Sequence, residues 1–288
     1  MSKNIQRLLD IMARLRQKDG GCPWDIKQTF ATIAPHTIEE TYELVEAIEK
    51  NDAHAIKEEL GDVLLQVVFH AQMAREAGWF DFDEVAGALA DKLVERHPHI
   101  FGERKAKTAD DVVEIWENNK SAKRKAKAEN EGRTESILDN VSTALPAATR
   151  AVKLQKRAST VGFDWDNPRD VFAKIKEEIA ELETEVGAVA VVGSEPRERT
   201  AEQSRHTKRL DKDSIMDELG DVLFAVTNLA RKLDIDPEAA LRGTNRKFER
   251  RFRQIEEALV RQGKKIQDAT LAEMETLWNE IKKTEKAV

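Results

Sequence analysis

Apolar positions in this 288-residue chain recur every three to four residues over long stretches, the spacing that lines one face of a helix. In the segment Glu58–Arg75, EELGDVLLQVVFHAQMAR, this spacing places Leu60, Leu64, Val67, Val68 and Ala71 on one stripe that is expected to be buried. The opening residues, MSKNIQRLLDIMARLR, form an amphipathic helix pattern with charges scattered through it, unlike a signal peptide. Convincing strand alternation is missing. The one exception is the run AVAVV at Ala188–Val192, which is short, bounded by glycines, and equally compatible with a helix end or a loop. With few glycines and prolines and long Ala/Glu/Lys/Leu/Arg-rich stretches, the chain is expected to be all-α.

The helical pattern occurs twice. ELGDVL stands at Glu59–Leu64 and again at Glu218–Leu223. Upstream, Ile38–Glu49 and Lys176–Val186 each contain Glu-Glu-x-x-Glu, and GCPWD (Gly21–Asp25) precedes one copy as GFDWD (Gly162–Asp166) precedes the other. Downstream, KLVER (Lys92–Arg96) matches KFERR (Lys247–Arg251), and WENNK (Trp116–Lys120) resembles WNEIK (Trp278–Lys282). Five features in one order imply a duplicated helical domain, at 1–130 and 131–288. The boundary falls in the charged, core-poor stretch Ser121–Arg133, which reads equally as a solvated helix or a flexible linker.

Composition narrows the chemistry. The net charge of −7 gives no basic excess to hold a nucleic-acid polymer. A single cysteine, Cys22, excludes an intramolecular disulfide framework and a multi-cysteine metal site, and reads as a passive small residue. No stretch approaches the ~20 apolar residues of a membrane span, so a cytoplasmic chain with no membrane partner is expected.

What remains is a set of acids. Residues three apart share a helix face, so Glu40 pairs with Glu43 and Glu59 with Asp62, as do Glu178 with Glu181 and Glu218 with Asp221. Like charges at that spacing repel, and a divalent cation offsets the repulsion. Four carboxylates from two antiparallel helices make an all-oxygen site suited to Mg²⁺, with Mn²⁺ as a substitute. Solvated acidic faces are the plain alternative, less apt for two interlocking pairs present in both halves. Gly61 and Gly220, inside the second pair of each half, imply close approach of a neighbouring helix or ligand. A di-iron carboxylate bundle is disfavoured, because no histidine here follows a Glu by three residues. Phosphate-loop, nucleophile-elbow and dinucleotide fingerprints are missing as well.

The EExxE and ExxD pairs on consecutive helices, in tandem and flanked by GCPWD and KFERRF, resemble the MazG-type all-α nucleoside triphosphate pyrophosphohydrolases, in their two-domain bacterial form. The resemblance covers essentially the whole chain. It implies hydrolysis of nucleoside triphosphates, including deoxy or noncanonical ones, to monophosphate and pyrophosphate with Mg²⁺ on the helical carboxylates. Carried over, the metal ligands are Glu178, Glu181, Glu218 and Asp221, with Glu177 joining them or activating water. Lys247 and Arg251, four apart on one face, reach phosphate oxygens, with Arg250 and Lys174 assisting. Asp217 joins the nucleotide-binding set, and Trp278 covers base or ribose unless it is a core anchor of the last helix. The basic residues have an ordinary reading as partners for nearby acids. Trp24 and Trp165 read as packing or helix-start residues.

Glu40, Glu43, Glu59 and Asp62 form a possible second metal site. The first half has His36 where the second has Lys174, and KLVER in place of KFERR, so the second half is expected to be the main catalytic domain. The interval Glu43–Glu59 is 16 residues and Glu181–Glu218 is 37. The extra residues, around 187–213, read as a disordered loop or, less readily, a lid. The alternative function is a non-catalytic nucleotide- or protein-binding module holding a structural cation. Apolar faces on short helical hairpins point to a homodimer.

Overall fold

The computed structural model describes residues 2–103, 105–187 and 212–286, in which all regular structure is helical. The run AVAVV and the rest of 188–211 lie outside the described residues. The chain divides into two compact units, Met1–Ala122 and Lys123–Val288. The division falls inside a helix that continues to Asn130, so the charged stretch up to that residue is helical.

Unit one is built on a hairpin of α3 (Phe30–Glu49) and α4 (Ala53–Glu76), preceded by α1 (Lys3–Leu15) and the short α2 (Pro23–Lys27). Thr29 starts α3 through reciprocal bonds with Thr32, and Asp52 starts α4 by accepting the backbone N–H groups of His54 and Ala55. Between them Asn51 adopts a φ of 54°, the left-handed conformation that stops α3 and reverses the chain. The core joins Met12 of α1, Ile33 of α3, and Val68, Phe69 and Met73 of α4.

The expected stripe on α4 is rotated. Val68 and Ala71 are buried, but Leu60 and Val67 are 52% and 40% exposed. The cause is that α4 packs against both α1 and α3, which turns its buried arc towards Leu65, Phe69 and Met73. Arg16 pins the GCPWD segment to the end of α4. It forms a fork with Glu76 (2.7 Å), donates to the Asp25 and Gln28 carbonyls, and lies over the Phe69 ring. Burial alone would raise the Glu76 carboxyl, yet hydrogen bonds from Arg16 and Gln72 hold it below the usual carboxylate range. The unit continues through α5 (Phe82–Arg96), α6 (Pro98–Phe101) and the first part of α7 (Ala109–Asn130), up to Ala122.

Unit two repeats the plan with α8 (Ala147–Ser159), α9 (Pro168–Gly187), α10 (Lys212–Lys232), α11 (Pro237–Arg261) and α12 (Leu271–Lys286). Helix α10 packs against α9 and α8, and α11 against α12 and α8. Here too the Trp-Asp segment is tied to the end of the hairpin's second helix. Asp164 accepts from Arg231 and from Lys232 (2.6 Å), and Lys232 also bonds the Trp165 carbonyl. The last-helix tryptophan lands on the same repeated arginine in each unit. Trp116 donates to the Arg96 carbonyl (2.8 Å), and Trp278 lies under the Arg251 guanidinium. Among the described residues no helix is long and apolar enough to cross a membrane.

Candidate active site

Each hairpin gathers three acids whose oxygens lie within 4.8 Å of one another. The sets are Glu40, Glu43 and Glu59 in unit one, and Glu178, Glu218 and Asp221 in unit two. The two trios are therefore not the same selection from the predicted quartets. Asp62 stands beside its trio and raises the carboxyls of Glu40 and Glu59, while Glu181 is hydrogen-bonded to Glu178.

The electrostatics of both groups is strained. Burial and then the charges of Asp62, Glu43 and Glu59 push the Glu40 carboxyl up. Glu218 is raised by burial, then by Asp221, Glu178 and Asp217, and Glu181 by its bond to Glu178 and by burial. Asp217 is exposed and acts here as one of those repelling charges. Glu178 is the buried member of its trio at 5% exposure, and Lys174 lies 2.6 Å from it and 2.9 Å from Glu177. An all-oxygen donor set crowded with like charges fits a hard divalent cation, which would relieve the repulsion. In unit one the corresponding His36 contacts Glu39 at 3.3 Å.

Gly61 and Gly220 do not mark the close approach of a neighbouring helix among the described residues. A Cβ at either position would meet no atom within 4 Å, because both glycines face open space on the helix surface.

The basic residues form a second group on α11 and α12. Arg250 and Arg251 both bond Glu285 (2.7 and 2.6 Å), which lowers its carboxyl. Arg251 lies 5.2 Å over Trp278, whose ring packs at 5.6 Å on Phe248. Lys247 is exposed on the same helix. Among the described residues, no hydrogen bond or ion pair joins Lys247, Arg250 or Arg251 to the carboxylate trio. The structure thus assembles the acids and the arginine–tryptophan group separately. Glu285 was missed by the sequence reading. Its signal was present, since it stands two helical turns after Trp278 and so shares its face.

The MazG nucleotide pyrophosphohydrolase domain matches residues 28–101 and 167–255. The chain belongs to the MazG family. Both matched segments carry a carboxylate hairpin, so this MazG-family chain holds the domain twice. The nucleoside triphosphate pyrophosphohydrolase of Escherichia coli K12 is 44% identical over 281 residues, 98% of each chain. The nucleoside triphosphate pyrophosphohydrolase/pyrophosphatase MazG of Thermotoga maritima is 38% identical over 279 residues, 96% of this chain and 95% of that one. The crystal structure of a mazG-related protein from Thermotoga maritima is 30% identical, with a TM-score of 0.35, and covers 40% of this chain and 98% of its own.

Proposed function

We propose that this protein is a nucleoside triphosphate pyrophosphohydrolase in which unit two carries the main site and water attacks the α-phosphorus. The observation that carries this reading is the convergence of Glu178, Glu218 and Asp221, with Glu181 bonded to Glu178, on facing helices of a MazG domain. These four residues would hold Mg²⁺, or Mn²⁺ in its place. When bound, the cation supplies positive charge to the phosphates and lowers the pKa of its water.

The chain's own groups do the rest. Glu177, already an acceptor for Lys174, orients or deprotonates the attacking water. Lys174 leaves Glu178 to contact a phosphate. Lys247 offers a point charge to the departing pyrophosphate, and Arg251 a planar fork, exchanging the Glu285 carboxylate for phosphate oxygens while Arg250 stays on Glu285. Trp278, held against Phe248, presents ring surface to base or ribose, and Asp217 completes the nucleotide-binding set. The trio Glu40, Glu43 and Glu59 with Asp62 forms a second metal site.

Incubation with each nucleoside triphosphate and Mg²⁺, followed by product separation, tests the bond cleaved. Monophosphate and pyrophosphate are expected; diphosphate and orthophosphate would contradict attack at the α-phosphorus.

The same hairpin supports a homodimer. Met216, Leu219, Leu223 and Val226 form one stripe on α10, and each is at least 45% exposed. Light scattering after size exclusion is expected to give twice the 32.6 kDa chain mass, and the Leu219→Glu/Leu223→Glu variant half of that. A wild-type monomer would refute the dimer.

A further inference from the structure

The set of two arginines on one carboxylate, built from α11 and α12, belongs to unit two. The KLVER/KFERR register aligns Glu95 with Arg250 and Arg96 with Arg251. The WENNK/WNEIK register, continued three residues, aligns Lys123 with Glu285. Unit one thus has a single arginine, and a lysine at the place of the acid. The second arginine and the carboxylate occur together, in the unit that carries the main site in the reading above.

The bonds are divided evenly between the two arginines. Arg250 donates from Nε and Nη2 to Glu285 Oε1 (3.0 and 2.7 Å), and Arg251 from the same two nitrogens to Oε2 (2.8 and 2.6 Å). This edge of a guanidinium is one that pairs with phosphate oxygens. The Arg251 side chain is only 12% exposed and Trp278 covers one of its faces, whereas that of Arg250 is 56% exposed. With this fork of Arg251 closed on a carboxylate, a phosphate takes it only by displacing Glu285. Bonds from both arginines hold the Glu285 carboxyl below the usual range, so the competitor is an anion at neutral pH.

Helix α12 has other anchors on the preceding chain. At its start Glu273 pairs with Lys264 (2.7 Å) and accepts from the Thr270 backbone, and Trp278 packs on Phe248. Glu285 stands in the last turn, beyond these contacts. A docking pair is complete with one arginine. Two arginines on one acid let the first leave while the second keeps the carboxylate paired.

We propose that Glu285 is an intramolecular competitor for the phosphate groups of substrate and product. In the free protein it closes the fork of Arg251. The terminal phosphates of the triphosphate displace it, and Arg250 retains it. After cleavage Glu285 returns to Arg251 and favours departure of the pyrophosphate. The identity of the displacing anion rests on the hydrolase reading above.

The test is calorimetric titration of the full chain with inorganic pyrophosphate in Mg²⁺, set beside steady-state hydrolysis. Glu285→Gln is expected to bind pyrophosphate about three- to tenfold tighter. Its KM for the triphosphate should fall by a similar factor, with no rise in kcat. Arg250→Gln should weaken pyrophosphate binding, since Glu285 then rests wholly on Arg251, and should change little once Glu285 is already Gln. Affinity in Glu285→Gln equal to or weaker than wild type overturns the proposal and leaves a helix-docking pair, which shows as a lower Tm. An equal loss from Arg250→Gln with and without Glu285 also overturns it, by making Arg250 a direct phosphate contact. If Glu285→Gln does not fold, Arg250→Gln decides, and unchanged or tighter binding there overturns the proposal. Pyrophosphate binding needs no turnover. Monophosphate and pyrophosphate formation with unchanged affinity in Glu285→Gln therefore defeats this proposal alone, and the expected tightening without hydrolysis defeats the hydrolase reading alone.

Discussion

Glu178→Gln removes triphosphate hydrolysis, with a fall on the order of a hundred- to a thousandfold in kcat, whereas Glu40→Gln leaves most of it. Glu178 is the buried centre of its cluster, within 4.8 Å of Glu218 and Asp221 and bonded to Glu181 and Lys174. The amide keeps the volume but withdraws a full negative charge from a site built to hold a cation. It also removes one of the two carboxylates that Lys174 faces, leaving Glu177. In unit one the matching acid is flanked by His36, which contacts Glu39 and carries no permanent charge for a triphosphate. Steady-state kinetics on both variants decides the assignment, and equal losses would sink it.

Removing the divalent cation should have the second large effect, on stability as well as activity. Burial and the neighbouring charges of Asp221, Glu178 and Asp217 raise the Glu218 carboxyl. A carboxylate whose folded pKa is raised favours the folded state while protonated, and that contribution is lost as pH rises through the raised value. At about pH 7 the metal-free hairpin therefore carries unrelieved repulsion, and a cation restores what was lost. At a cation concentration one hundred times Kd the gain is about 2.7 kcal/mol, a rise of several degrees in Tm. The gain should fade as pH drops towards about 4, where protons displace the cation. Glu218→Gln is expected to raise the Tm in EDTA and to lower hydrolysis in Mg²⁺. Melting curves with Mg²⁺ or EDTA across this pH range provide the check, and a variant less stable than wild type in EDTA would refute the repulsion argument.

The carboxylate pairs were readable in the chain because they depend on local geometry. Residues three apart share a helix face wherever the helix forms, and the duplication excludes a chance grouping of acids. The Glu-Glu-x-x-Glu and Glu-x-x-Asp spacings thus predicted that Glu178 and Glu218 face a common site. Which oxygens meet was not readable, since that depends on the crossing of α9 and α10. One unit accordingly brings Glu43 into its trio and the other Asp221.

Side-chain packing between helices accounts for the other differences. Leu60 and Val67 fit the apolar period of α4, but the combined contact of α1 and α3 turns them outward. Gly220 implied the approach of a neighbouring helix or a ligand, and among the described residues no helix stands there, because spacing along one helix carries no information about its neighbours. Glu285 was hidden among the many acids of the chain until α12 folded against α11 and set it on both arginines.

By itself, then, the sequence determined the helices, the duplication and the two acidic faces, all of them set by period and by short-range spacing. Tertiary structure alone decided that Glu178 is buried, that Arg251 is held between Glu285 and Trp278, and that Met12 of α1 joins Phe69 of α4 in the core of unit one. Those outcomes depend on which side chains from distant segments occupy the same volume, and no local pattern encodes that competition.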